Sequence, residues 1–244
     1  MDVAALGKVL PDAAALLFQY PNYFGVIEDP RPLVAAAREA GALSVAVVNE
    51  PVALGLLAAP GSLGVDVVAA ELQAMGIPAS YGGPYCGVIG ASEKCLRQMP
   101  GRLVGVARDT EGREGYVLTP ATREQHIRRE KATSNICTNS GLMALAASMF
   151  MAAYGKHGLH ELALLNVDRA HYALRTILRR ASVAGIRAGF GGRFFNEFVI
   201  RGLPDAIVPA GRAGTDRSCR VLGSPVGRAA APPPDACARS CGRG

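Results

Sequence analysis

The residues best suited to chemistry lie between Arg123 and Asn139, where Arg123, Arg128, Arg129 and Lys131 precede Thr133, Ser134, Asn135, Cys137, Thr138 and Asn139. Short polar side chains just ahead of an apolar run cap a helix, and the free N–H groups of its first turn attract phosphate or carboxylate. An arginine adds a two-pronged grip on a carboxylate. The expected chemistry is anion binding at a helix start; the alternative is a solvated charged face with Thr138 or Asn139 serving only as the N-cap. The loop Tyr81-Gly82-Gly83-Pro84-Tyr85 is a second candidate. Its glycines let backbone approach a ligand, and its N–H groups could form part of an anion-binding nest; an ordinary tight turn is the competing reading. His126 has the pKa range of a proton shuttle, but a lone histidine between Gln125 and Ile127 suits a structural role. Cys137 is either a redox-sensitive thiol or a small buried residue.

These groups need a scaffold. Apolar runs at Ala14–Gln19, Leu43–Val48, Val65–Ala69 and Val88–Ala91 read as buried strands. Helices are expected over Pro32–Ala40, with Gly41 as the stop, and over Pro51–Ala58, closed by Pro60-Gly61. Strands that are apolar throughout and alternate with helices imply an α/β fold, with a mainly parallel sheet and helices on both faces. Asn139–Tyr154 is an apolar, buried helix with Gly155 as its C-cap. Leu159–Ala181 carries an apolar stripe at helical spacing, and Phe194–Ile200 is a strand that opens a small C-terminal domain.

The net charge of +6 rests on 26 basic and 20 acidic residues, with only four lysines. Several arginines fall in one tail, and no aromatic interleaving accompanies them, so nucleic-acid binding is not expected. The six cysteines, Cys86, Cys95, Cys137, Cys219, Cys237 and Cys241, show no metal-type pairing with histidine and suggest a reducing, cytoplasmic setting. No apolar run reaches membrane-spanning length, and no leader-like N-terminus is expected. After about Leu203 the character changes: residues 209–244 become Arg, Gly, Ala, Pro, Ser and Cys without periodicity. Residues 205–244 are therefore expected to be an out-of-frame, disordered tail.

The pieces QYPNYFGVIED (19–29), GVDVVAAELQAMGIPASYGGPYCG (64–87), RQMPGRLVG (97–105) and GYVLTPATREQHIRREKATSNICTN (115–139) carry a resemblance over about residues 3–203. Together they resemble the P-protein family of the glycine cleavage system (glycine dehydrogenase, decarboxylating). The match is to the first of its two homologous halves, subunit 1. The resemblance implies a fragment of a fold-type-I pyridoxal-phosphate enzyme like aspartate aminotransferase. Residues 1–181 would then be part of the large domain and 182–204 the start of the small C-terminal domain. It implies glycine as substrate, a second subunit bearing the lysine that holds pyridoxal phosphate covalently, and the lipoyl H-protein as acceptor of the aminomethyl group. On this chain it implies active-site or interface positions at Asn22, Gly82, Gly83, Tyr85, Arg128, Arg129, Thr133, Ser134, Asn135, Cys137, Thr138 and Asn139.

The residues agree with the non-lysine half. A Schiff-base lysine belongs at a strand end, kept neutral by burial or a cationic neighbour. Lys8, Lys94, Lys131 and Lys156 all fall in polar or helix-end contexts. Where many relatives carry Asp-Pro after the second strand, this chain has Asn49-Glu50-Pro51, and Ala70-Glu71-Leu72-Gln73 replaces a Gly-acid-Gly-Gln turn. Two other classes compete: a non-catalytic scaffold or regulatory subunit, and a non-functional gene fragment.

Overall fold

In the computed structural model the described residues are 3–100, 103–119, 125–132, 140–180, 185–202 and 218–222. After a short helix α1 (Val3–Leu6), strands β1 (Ala15–Gln19), β2 (Leu43–Val48) and β3 (Val67–Glu71) run parallel in that order, and β4 (Gly87–Ala91) adds antiparallel to β3. The sheet is thus mixed at one end, where the apolar run at 88–91 alone suggested another parallel strand. Helix α2 (Arg31–Glu39) links β1 to β2. Pro32 sits in its first turn, the Asp29 carboxylate accepts the Arg31 N–H, and Gly41 leaves it at φ +73°. Its Leu33, Val34 and Ala37 pack on Leu16, Phe18, Ala46 and Val65 to form the first core.

The link from β2 to β3 departs from expectation. Pro51–Gly55 is a 3₁₀ turn instead of a helix to Ala58, followed by a second 3₁₀ turn at Pro60–Leu63. Gly55 lies against the Leu159 carbonyl, where a Cβ would approach to 2.6 Å, so this segment is pressed flat under a neighbouring helix. Strand β3 also starts late, because Val65 and Asp66 are used elsewhere. The Val65 side chain is in the core, while the Asp66 carboxylate receives the Ser44 N–H and hydroxyl and pairs with Lys94. That pairing accounts for Lys94.

Strands β5 (Leu103–Arg108) and β6 (Glu114–Thr119) form an antiparallel hairpin not expected from the sequence. Asp109 closes it, accepting from the N–H groups of Glu111 and Arg113. Cross-strand pairs Val104–Leu118 and Val106–Tyr116 are exposed.

After α3 (Gln125–Arg128) the two expected long helices appear as one run, α4 (Gly141–Arg180), broken at Gly155 with φ 62° and ψ −175°. That conformation belongs to glycine almost alone. Ala147 and Ala163 of α4 are fully buried against Val52, Ala53, Met75 and Phe195, forming the second core, but the expected burial of the helix up to Tyr154 does not hold: Leu142, Leu145, Met149 and Tyr154 are exposed, because only one side of the helix meets that core. No helix among the described residues is long and apolar enough to cross a membrane. The C-terminal part is an antiparallel sheet of β7 (Arg187–Ala188), β8 (Glu197–Arg201) and β9 (Ser218–Leu222), in the order β7-β8-β9. Strand β8 begins three residues later than Phe194, since Phe195 and Asn196 turn into the core. Strand β9 falls inside the stretch expected to hold no element; the remainder of 205–244 lies outside the described residues.

Candidate functional site

Ligands of open α/β sheets bind beyond the carboxyl ends of the strands, and a cavity of about 60 Å³ lies there. Gln19 at the end of β1, Asn49 and Glu50 just past β2, Gly25, and Asn196 and Glu197 at the entrance to β8 line it. Glu50 organises the site. One carboxylate oxygen accepts the Val52 N–H at 3.1 Å, which caps the 3₁₀ turn, and the other accepts from Asn196 Nδ2 at 2.9 Å. Asn196 is only 3% exposed. Burial pushes the Glu50 carboxyl above its ordinary range; the bonds from Asn196 and Val52 pull it back, and the charge of Glu197 pushes it up again. The expectation that Asn49 replaces the usual acid is therefore refined: an acid is present one residue later, and both its oxygens are engaged within the chain. The signal was a charge set beside Asn49 between the apolar pairs Val47-Val48 and Pro51-Val52.

The turn after β1 forms the opposite wall. Asn22 Oδ1 accepts the N–H groups of Phe24 and Val26 at 3.0 Å each, and Asn22 Nδ2 donates to Glu28 at 2.8 Å. The Asn22 side chain is thus spent on shaping the turn. That turn holds the C-terminal part: Ile27 N–H donates to the Arg193 carbonyl, Phe195 N–H to the Gly25 carbonyl, and Val26 bridges Phe194. Gly25, at φ +79°, is so close to β8 that an added Cβ would lie 2.0 Å from the Glu197 carbonyl oxygen. His171 stacks on Phe194 at 4.0 Å between ring centroids, which anchors the same joint to α4.

The other expected positions lie elsewhere. Ser80, Tyr81, Gly82 and Gly83 are consecutive residues with positive φ, at 41°, 58°, 114° and 149°. The Gly82 and Gly83 N–H groups both donate to the Ala79 carbonyl, so they are not free to cradle an anion as a nest would. Tyr85 is exposed and Tyr81 wholly so. Below them Glu71 Oε1 accepts the N–H groups of Gln73 and Cys86, which ties the loop to β3. Cys86 is buried, and burial with the nearby Glu71 raises its thiol pKa, so it is no ready nucleophile.

Arg128 ends α3 and Arg129 starts a 3₁₀ turn at φ +53°, so helical geometry does not relate the two. Both are exposed, and among the described residues neither forms an ion pair. Thr133, Ser134, Asn135, Cys137, Thr138 and Asn139, with the side chain of His126, lie outside the described residues. No group of three His, Cys, Asp or Glu able to hold a metal occurs among the described residues.

Residues 2–209 match the sequence profile of the family described as "Glycine cleavage system P-protein". The chain is similar to the "Probable glycine dehydrogenase (decarboxylating) subunit 1" of Brevibacillus brevis, 49% identical over 201 residues, covering 82% of this chain and 44% of that protein. Its structure resembles a glycine decarboxylase (P-protein) of the glycine cleavage system, solved in inhibitor-bound form. There the identity is 43% and the TM-score 0.73, over 80% of this chain and 44% of the other. A Thermus thermophilus aspartate aminotransferase, 17% identical with a TM-score of 0.50 over 82% of this chain and 52% of its own, shares the fold. The architecture is that of fold-type-I pyridoxal-phosphate enzymes, and the chain spans less than half the length of the curated relatives it matches.

Proposed function

We propose, from the premise that this chain belongs to the glycine cleavage system P-protein family, that it acts as part of the lysine-free subunit 1 of a glycine decarboxylase. A lysine-bearing subunit 2 would complete a cytoplasmic enzyme that decarboxylates glycine and passes the aminomethyl group to the lipoyl H-protein. The observation that carries this reading is the 49% identity to a subunit 1 over 201 residues.

Among the described residues, the cavity at the strand ends does not fit pyridoxal phosphate. Ligand pockets measure about 300–1,000 Å³, whereas the cavity at the strand ends holds about 60 Å³, room for a few water molecules. No lysine lines it, and the Glu50 carboxylate is already bonded to Val52 and Asn196. This supports placing the cofactor on the partner subunit. The part assigned to this chain is to close the partner's site and keep water out. Its surface there is proposed to include Asn22 in its turn, the loop with Gly82, Gly83 and Tyr85, Arg128 and Arg129, and the segment with Thr133, Ser134, Asn135, Cys137, Thr138 and Asn139.

The test is reconstitution. The chain is combined with the remaining length of a subunit-1 relative, subunit 2 and lipoyl H-protein, and glycine-dependent carbon dioxide release is measured. Release that needs this chain is expected, and the chain by itself should be inactive. Unchanged release when the chain is left out, or pyridoxal phosphate held by the chain alone through gel filtration, would overturn the reading.

A further inference from the structure

Beyond its break at Gly155, helix α4 turns Ala163, Asn166 and Ala170 inward and leaves its opposite side in solvent. At 3.6 residues per turn, Glu161, Leu165, Asp168, Tyr172, Arg175 and Arg179 fall in one stripe on that side, about 27 Å long. All six are exposed, Leu165 to 45% and Tyr172 to 60%. The stripe is ordered by charge. Both acids stand in its N-terminal half with Leu165 between them, and both arginines stand in its C-terminal half after Tyr172.

Among the described residues no ion pair uses these charges. Opposite charges on a bare helix face support it when they stand three or four residues apart. No acid stands at that spacing from Arg175 or Arg179, and those two, four apart, repel each other. The one basic side chain at that spacing from Asp168 is His171, which is stacked on Phe194 instead. The helix dipole favours a base in the last turn only. That accounts for Arg179 and leaves Asp168 and Arg175 with no use inside the chain.

The stripe is symmetric about Ala170: positions 161 and 179, 165 and 175, and 168 and 172 are each equally far from it. A two-fold axis at that point lays an antiparallel copy along the stripe with acid against base throughout. Glu161 of one copy meets Arg179 of the other. Arg175 rests its hydrocarbon stem on Leu165 and turns its guanidinium toward Asp168. The Tyr172 hydroxyl donates toward Asp168, and its ring fills the centre of the contact. A parallel copy would set like charge on like, and an acidic protein or a nucleic acid would be repelled by Glu161 and Asp168. We propose that this face of α4 is a self-complementary interface that docks a second copy of this chain, antiparallel about Ala170. Such a contact is isologous, so it closes at two chains. The inference rests on α4 and does not depend on the proposed activity.

The test is the mass of the full 244-residue chain in sedimentation equilibrium across the micromolar range. A monomer–dimer equilibrium is expected. Glu161→Arg with Asp168→Arg makes the stripe wholly basic, and Arg175→Glu with Arg179→Glu makes it wholly acidic. Each double variant should self-associate at least about 100-fold more weakly, because like charges then face each other. An equimolar mixture of the two should recover a 1:1 dimer, a result that misfolded chains could not give. A monomer at every concentration, association that both variants leave intact, or loss in both variants without recovery on mixing would overturn the proposal. A dimer that behaves as expected while reconstituted glycine decarboxylation fails would sink the activity reading and leave this one standing.

Discussion

Gly25 and Gly41 make a matched pair for measuring what the joint between the sheet and the C-terminal strands contributes. Both have positive φ, 79° and 73°. Alanine at either position meets the same left-handed penalty of about 1–2 kcal/mol. Their surroundings differ completely. A Cβ on Gly41 meets nothing within 4 Å, whereas on Gly25 it lies 2.0 Å from the Glu197 carbonyl oxygen and 2.5 Å from its carbon. Contact atoms settle near 3.5 Å, so β8 must retreat by about 1.5 Å, and backbone displaced by overpacking costs about 1–3 kcal/mol. Gly25→Ala should therefore destabilise by about 2–5 kcal/mol and Gly41→Ala by about 1–2 kcal/mol. In a chain of this size, the difference of about 2 kcal/mol corresponds to about 4–8 °C in Tm. Urea melts followed by circular dichroism give both midpoint and slope. Equal losses in the two variants, or a larger loss for Gly41→Ala, would refute the claim that the turn after β1 is clamped on β8.

Four further outcomes follow from the same contacts. Asn22→Ala should cost about 1–3 kcal/mol in urea melts, since it strands the Phe24 and Val26 N–H groups, whereas Asn22→Asp keeps both acceptor bonds and should cost less. Phe195→Ala, at 1% exposure in the second core, should cost about 3–5 kcal/mol by the same measurement. Glu50 is a carboxyl raised above 4.5 in the folded chain, so the native state holds its proton longer than the unfolded one. Stability should fall as pH rises from about 4.5 through the raised value, and Glu50→Gln should flatten that part of a midpoint-against-pH series. Asp66 runs the opposite way. Burial raises its carboxyl, but Lys94 and Ser44 more than offset this and hold it below 3.8. Its contribution is present above 3.8, is lost as pH falls through the lowered value, and should vanish in Asp66→Asn.

How much of this was legible in the sequence depends on how local the signal is. Strands β1 and β2 were found to within a residue because an unbroken apolar run between Pro and Gly has few other uses. Helix α2 was equally plain, with Pro32 at its start and Gly41 at its end. The break in α4 was marked by Gly155, although the helix resumes at once instead of at Leu159. The β5–β6 hairpin was not legible although Val104, Val106, Tyr116 and Leu118 alternate, because their side chains stay exposed and the period-two pattern is tied to no core. The antiparallel sense of β4 leaves no trace in Val88–Ala91 itself; it is set by the Glu71–Cys86 tether fifteen residues long. The Glu50–Asn196 bond joins residues 146 apart, a distance over which no spacing rule operates. The charge at Glu50 stands out locally, but its partner Asn196 is set only by the fold.

The β5–β6 hairpin has a practical consequence. A two-stranded ribbon with its apolar pairs in water is marginal on its own, and its amides should exchange with solvent far faster than those of β2. It is thus a built-in gauge. If a neighbouring chain settles over Val104, Val106, Tyr116 and Leu118, slowed exchange there would register the contact directly in a mass spectrum. That readout requires no substrate, no turnover and no cofactor in the tube.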